Sequence, residues 1–131
     1  MPSSPREILL VEDDPHARRL VTSCLRRMGL VVHEVKSNAE AAQMLDTLTP
    51  DLVCLDLRLP DGNGLTVCEK MRASERLHDV PVLVISALAE ASHMEHAEAV
   101  GANEYLVKPF RAAALTLSVR ELMARSALAA S

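Results

Sequence analysis

The stretch Val53-Cys54-Leu55-Asp56-Leu57-Arg58-Leu59-Pro60-Asp61-Gly62-Asn63-Gly64 decides how this chain is read. Apolar residues from Leu52 run unbroken into Asp56, and the chain then breaks at Pro60, Gly62 and Gly64. That is the pattern of a buried strand ending in a loop. A carboxylate where burial stops lies at the carboxyl rim of a parallel strand, where open α/β sheets leave a crevice for ligands. Asp56 is therefore the first candidate for chemistry.

Working outward, Ile8-Leu9-Leu10-Val11 runs into three acids in succession, Glu12, Asp13 and Asp14. Asp14 before Pro15 is a helix start, because Asp caps free amides and Pro is tolerated at the first helical position. Capping accounts for Asp14 and leaves Glu12 and Asp13 unexplained. Val80 to Ile85 is a further apolar strand ending in Ser86, with Pro81 near its start, where a missing amide does least harm. Glu104 to Val107 is a short strand stopped by Lys108-Pro109, and Leu30 to Val35, shorter and more polar, suits an edge strand.

Helical spacing fills the gaps. Leu20, Val21, Cys24, Leu25 and Met28 share a face closed by Gly29, and Ser37 with Glu40 forms a capping box before Ala41, Met44, Leu45 and Leu48. Leu65, Cys68, Met71 and Arg72 mark a third helix, Glu90 to Val100 a fourth ended by Gly101, and Arg111 to about Ala127 a fifth with Leu115, Val119 and Leu122 inward. Strand and helix alternate five times, which implies a doubly wound α/β fold with a parallel sheet, helices on both faces and right-handed crossovers.

At 131 residues the chain has the size of one domain, expected over residues 6–125 between a disordered segment, 1–5, and a frayed tail, 126–131. No second domain is expected within it. Hydrophobic residues make up 49% but aromatics 2%, so Tyr105 and Phe110 are the only large rings for a core of aliphatic side chains. A net charge of -4 argues against nucleic-acid binding, and no segment is apolar for long enough to span a bilayer or act as a signal peptide. A cytoplasmic protein is the expectation. Cys24, Cys54 and Cys68 lie inside apolar patterns without a Cys-x-x-Cys pair and read as buried thiols. His93 and His96 sit three apart on one helix, but nothing near them in sequence completes a tetrahedral metal set, so they read as a solvated face.

In a parallel sheet all carboxyl ends emerge on one edge. Glu12, Asp13, Asp56, Ser86 and Lys108 therefore converge, although far apart in sequence. Three carboxylates brought together raise one another's pKa unless a cation neutralises them. Hard oxygen donors without thiolate or imidazole suit Mg²⁺ (or Mn²⁺), which takes one or two carboxylates plus phosphate oxygen. Asp56 can then be a nucleophile that forms an aspartyl-phosphate, with Ser86 and Lys108 on the remaining phosphoryl oxygens.

Glu12-Asp13 after an apolar strand, Asp56 with Leu59-Pro60 and Gly64, Ser86-Ala87, and Tyr105-Leu106-Val107-Lys108-Pro109-Phe110 together resemble the receiver domain of two-component response regulators, over roughly Arg6 to Arg125. The resemblance implies the flavodoxin-like strand order 2-1-3-4-5. It implies that Asp56 accepts a phosphoryl group from a phosphohistidine on a sensor histidine kinase or histidine phosphotransfer protein. By the same resemblance, Asp13, Asp56 and the Arg58 backbone carbonyl bind Mg²⁺ directly, and Glu12 does so through water. Ser86 and Tyr105 form the switch, Lys108 pairs with the phosphoryl oxygen, and the Lys108-Pro109 peptide is cis. Arg58 and Leu88 occupy positions that tune acyl-phosphate hydrolysis. The fourth helix, fifth strand and fifth helix form the reporting face, through which the domain could also dimerise. Glu12, Leu59 and Ser86 depart from the commonest residues at their positions but stay within family variation.

Two other readings stay open at this stage. One is a Mg²⁺-dependent phosphohydrolase of the haloacid dehalogenase kind, which would resemble this chain in its strand-end Asp but has a second Asp where Arg58 stands. The other is a receiver-like scaffold that binds partners without phosphorylation.

Overall fold

A computed structural model describes the backbone of residues 5–130 and the side chains of residues 5–125. The expected disordered segment therefore falls, but for Pro5, outside the described residues. Five strands, β1 (Glu7–Val11), β2 (Val31–Val35), β3 (Leu52–Leu55), β4 (Val82–Ser86) and β5 (Glu104–Val107), form one parallel sheet. Its order is β2-β1-β3-β4-β5, the flavodoxin-like arrangement implied by the resemblance. The helices are α1 (Pro15–Arg27), α2 (Asn38–Leu45), α3 (Leu65–Arg72), α4 (Ala91–Val100) and α5 (Ala112–Ala130).

Successive side chains on a strand point to opposite faces, and the apolar runs divide accordingly. Leu9, Val11, Val53, Leu55, Val82 and Val84 pack with Ala41, Leu45, Cys68, Met71 and Ala97 of α2, α3 and α4. Ile8, Leu10, Leu52, Cys54, Leu83 and Ile85 pack with Val21 and Leu25 of α1 and Leu115, Val119 and Leu122 of α5. Both faces being covered explains why these strands read as continuous apolar runs. Each fully buried Leu or Ile contributes about 1.5–3 kcal/mol, so the central strands anchor the rim that follows them.

Several boundaries differ from expectation. β2 is an edge strand, as expected, but has five residues, as many as β1, and begins at Val31. Pro81 lies just before β4, where its carbonyl accepts from the Val53 amide at 3.0 Å. Glu90 lies just outside α4, at its N-cap position but without a side-chain capping bond. The backbone of α5 continues to Ala130, because the Ala-rich run from Ser126 favours helix over a break. Tyr105 and Phe110 are both half-buried, and they pack against opposite core clusters despite their closeness in sequence. The three cysteines are free and buried as expected, and burial pushes the Cys54 thiol up to about 12.

Local capping ties the helices to the rim. Asp14 Oδ2 accepts from the Ala17 amide at 2.9 Å, as its sequence setting indicated. Ser37 Oγ accepts from the Glu40 amide at 3.1 Å, but Glu40 reaches back to the Lys36 amide rather than to Ser37, so the box is one residue wider than the usual motif. Asp61, at the turn of a short hairpin pairing Arg58–Leu59 with Gly62–Asn63, accepts from the Asn38 and Ala39 amides at 2.9 Å each. Those amides hold the Asp61 carboxyl below its ordinary range. The loop after Asp56 is thereby fastened to α2.

Candidate functional site at the carboxyl rim

Parallel register brings the strand ends into one row. Val11 pairs with Leu55, Leu55 with Val84 and Ser86 with Val107, so the residues that follow lie side by side. The Asp56 amide donates to the Val11 carbonyl at 3.0 Å and the Lys108 amide to the Ser86 carbonyl at 2.8 Å. Glu12, Asp13 and Asp56 each place a carboxylate oxygen within 4.8 Å of the others. The Lys108 amine reaches across from the end of β5, 2.5 Å from Glu12 Oε1 and 2.9 Å from Asp56 Oδ2. Acids and amine that the sequence separates by about a hundred positions thus share one crevice.

The remaining bonds orient the carboxylates. Asp56 Oδ1 accepts from the Arg58 amide at 3.1 Å, and Glu12 Oε2 from the Asp14 amide at 3.2 Å. Glu12 is 2% exposed and Asp56 7%, whereas Asp13 is exposed. Burial pushes the Glu12 carboxyl up from 4.5 to about 7, with Lys108 opposing and Asp56 adding to the rise. Desolvation therefore outweighs the mutual repulsion that the sequence pointed to. Burial lowers the proton affinity of the Lys108 amine, but its bonds to Glu12 and Asp56 more than reverse this and raise its pKa.

Ser86 is fully buried, and its Oγ accepts from the Leu88 amide at 3.3 Å. Tyr105 donates its hydroxyl to the Leu88 carbonyl at 2.5 Å, and burial raises its pKa. Leu88 itself is half-buried against the α2–α4 side of the core. Arg58 is exposed, and the peptide between Lys108 and Pro109 is cis.

Three features support the site, and for Arg18 and Asp61 no role was legible in the sequence. Arg18 donates one guanidinium nitrogen to the Glu12 and Asp13 carbonyls, each at 3.1 Å, and so pins the acidic turn from α1. Its place one turn into a helix that starts at Pro15, just after the acids, was the available signal. Gly64, already part of the quoted motif, is required for space: a Cβ there would stand 2.0 Å from the Asp56 carbonyl oxygen. Asp61 anchors the following loop, as described above. His93 and His96, by contrast, join no metal-ligand group among the described residues, where the acidic trio is the one such cluster.

A 2-1-3-4-5 parallel sheet with an acidic trio and a lysine at its carboxyl rim defines the class of receiver domains. The chain belongs to the response regulator receiver domain family, whose model matches residues 8–120. It is 36% identical over 119 residues to the DNA-binding dual master transcriptional regulator RpaA of Synechocystis, covering 91% of this chain and 49% of that protein. It is 30% identical over 120 residues to the phosphate regulon transcriptional regulatory protein PhoB of Escherichia coli, covering 92% of this chain and 52% of that one. The chain thus spans about half the length of the curated relatives it matches.

Among solved structures, a response regulator from Chloroflexus aurantiacus superposes with a TM-score of 0.88 at 30% identity, over 92% of this chain and 99% of that one. The receiver domain of a sensor histidine kinase from Pseudomonas aeruginosa superposes with a TM-score of 0.84 at 30% identity, over 92% of this chain and 99% of that one. That structure has a magnesium ion coordinated in its active-site cleft. The protein described here is a receiver domain of two-component signalling, a switch by family. Among its described residues no helix is long and apolar enough to cross a membrane.

Proposed function

We propose that this receiver domain accepts a phosphoryl group on Asp56 from a phosphohistidine of a sensor histidine kinase or histidine phosphotransfer protein. A carboxylate oxygen of Asp56 attacks phosphorus, the phosphorus–nitrogen bond breaks, and its electron pair returns to the imidazole of the donor. The observation that carries this reading is the Lys108 amine bridging Glu12 and Asp56, a cation already placed where phosphoryl oxygens would gather. Lys108 would turn from Glu12 toward the phosphoryl group. Ser86 would exchange its bond with the Leu88 amide for one to a phosphoryl oxygen.

The donor set fits a divalent cation: three carboxylates face a single ammonium, with no sulfur or imidazole among them. Asp13, Asp56 and the Arg58 carbonyl would hold Mg²⁺ or Mn²⁺, with Glu12 acting through water. Such an ion supplies positive charge against the transferring group.

The Tyr105 hydroxyl and the Leu88 carbonyl join the β4–α4 loop to β5, so a movement of Ser86 would be felt on the face made by α4, β5 and α5. That face would carry the output, through a partner or a second copy, in the cytoplasm. Exposed Arg58 and half-buried Leu88 would control access of water to the acyl phosphate. Intact mass after incubation with Mg²⁺ and acetyl phosphate tests the central step. One phosphoryl adduct is expected on the wild type and none on Asp56→Asn; an adduct on both would overturn the assignment.

A further inference from the structure

A groove of about 630 Å³ runs along α1 beside β2 and shares no residue with the acidic trio. Arg18, Arg19, Thr22, Ser23, Arg26 and Arg27 line it, with Glu34 on its β2 wall. Glu34 is engaged by Arg18 at 3.5 Å. Among the described residues no carboxylate pairs with Arg19, Arg26 or Arg27, although the chain as a whole carries a net charge of -4. Three guanidinium groups without a carboxylate partner, of which Arg26 and Arg27 stand at the carbonyl end of α1, give this helix of an acidic protein a local positive field.

Beneath them, Thr22 is 5% exposed and its Oγ1 has no hydrogen-bond partner among the described residues. A buried hydroxyl without a partner is costly, and Thr22, whose helical χ1 divides between two rotamers, is one of the residues lining the groove. Arg19 and Arg26 stand seven residues apart, a rise of about 10 Å, which is wider than a single tetrahedral anion. Guanidinium forks match phosphoryl oxygens in pairs. Arg18 is already held by Glu34 and by the Glu12 and Asp13 carbonyls, and is left out of the contact set.

We infer that the α1 groove binds an oligophosphate, a linear ligand of several phosphoryl groups, with Arg19, Arg26 and Arg27 on its oxygens and the Thr22 hydroxyl turned to meet it. This site is independent of phosphoryl transfer to Asp56. The test is calorimetry and amide chemical-shift mapping with sodium triphosphate, ATP and orthophosphate, in Mg²⁺-free buffer at about 0.15 M salt, where weak surface electrostatics are screened. Triphosphate and ATP should bind saturably and shift amides of α1 and β2, and orthophosphate should bind at least about tenfold more weakly.

The double variant Arg19→Ala/Arg26→Ala should weaken triphosphate by about tenfold or more, because it removes two charge-assisted contacts. Arg120→Ala/Arg125→Ala, which removes the same charge from α5, should change it by less than about twofold. Asp56→Asn should bind like the wild type. ATP tighter than triphosphate would assign a nucleotide, and equal affinity the phosphate chain alone. Absence of saturable binding, equal losses in the two arginine pairs, or loss in Asp56→Asn would overturn the inference.

Discussion

Replacing Glu12 by Gln should make the metal-free domain more stable at alkaline pH. The folded chain holds the Glu12 proton more tightly than the unfolded chain, with the pKa raised from 4.5 to about 7. The stabilisation linked to that proton is therefore complete below about pH 4.5 and is lost as pH rises through about 7. At 1.36 kcal/mol per pH unit the displacement corresponds to about 3 kcal/mol, which solvent screening at the open, Asp13 side trims to about 2 kcal/mol. A neutral amide of the same shape cannot lose that proton. Urea unfolding in EDTA between about pH 5 and pH 8.5 should show the wild type falling by about 2 kcal/mol relative to Glu12→Gln, most of it before pH 7.5. Added Mg²⁺ should stabilise the wild type more at the alkaline end, where Glu12 is ionised, than at the acid end. Parallel pH profiles for the two proteins would refute the claim that burial of this carboxylate governs the cluster.

Gly64→Ala should cost about 2 kcal/mol or more in urea unfolding, because its Cβ collides with the Asp56 backbone rather than with a movable side chain, and Mg²⁺ binding should weaken with it. Lys108→Ala should tighten Mg²⁺ by about tenfold in calorimetry, since an ammonium bonded to two carboxylates of the cluster no longer competes. Arg72 donates to the Gly101, His78 and Val80 carbonyls and to Asn103 Oδ1, at 2.8 to 3.1 Å. Arg72→Met should therefore cost about 3 kcal/mol and speed amide exchange around the end of α4 more than in β1.

Much of the site was legible before any coordinates, and particular residues explain why. Asp56, Glu12, Asp13 and Lys108 each follow an apolar run, so one rule, that parallel strands end on a common edge, was enough to assemble them. Arg18 escaped because it acts through backbone carbonyls, and its place one turn into α1 was the only signal for it. Arg72 was legible only as a residue of the third helix, because its partners are carbonyls: those of His78 and Val80 in the segment after α3, and that of Gly101, which the packing of α3 and α4 brings to it. The hairpin after Asp56 has strands of two residues each, too short for a periodic pattern, and its capping of α2 by Asp61 joins elements more than twenty positions apart.

Apolar periodicity along the chain is a local property, and it determined by itself the alternation of strand and helix, the parallel sheet and the edge on which the candidate site lies. Burial and distance are properties of the assembled molecule. Only the tertiary structure could decide that desolvation rather than repulsion lifts the Glu12 carboxyl, that Tyr105 gives its hydroxyl to the Leu88 carbonyl, and that Arg19, Arg26 and Arg27 of α1 pair with no carboxylate among the described residues. The pKa of a carboxylate, like the pairing of a charge, depends on which neighbours displace water around it, and those neighbours come from other strands and helices.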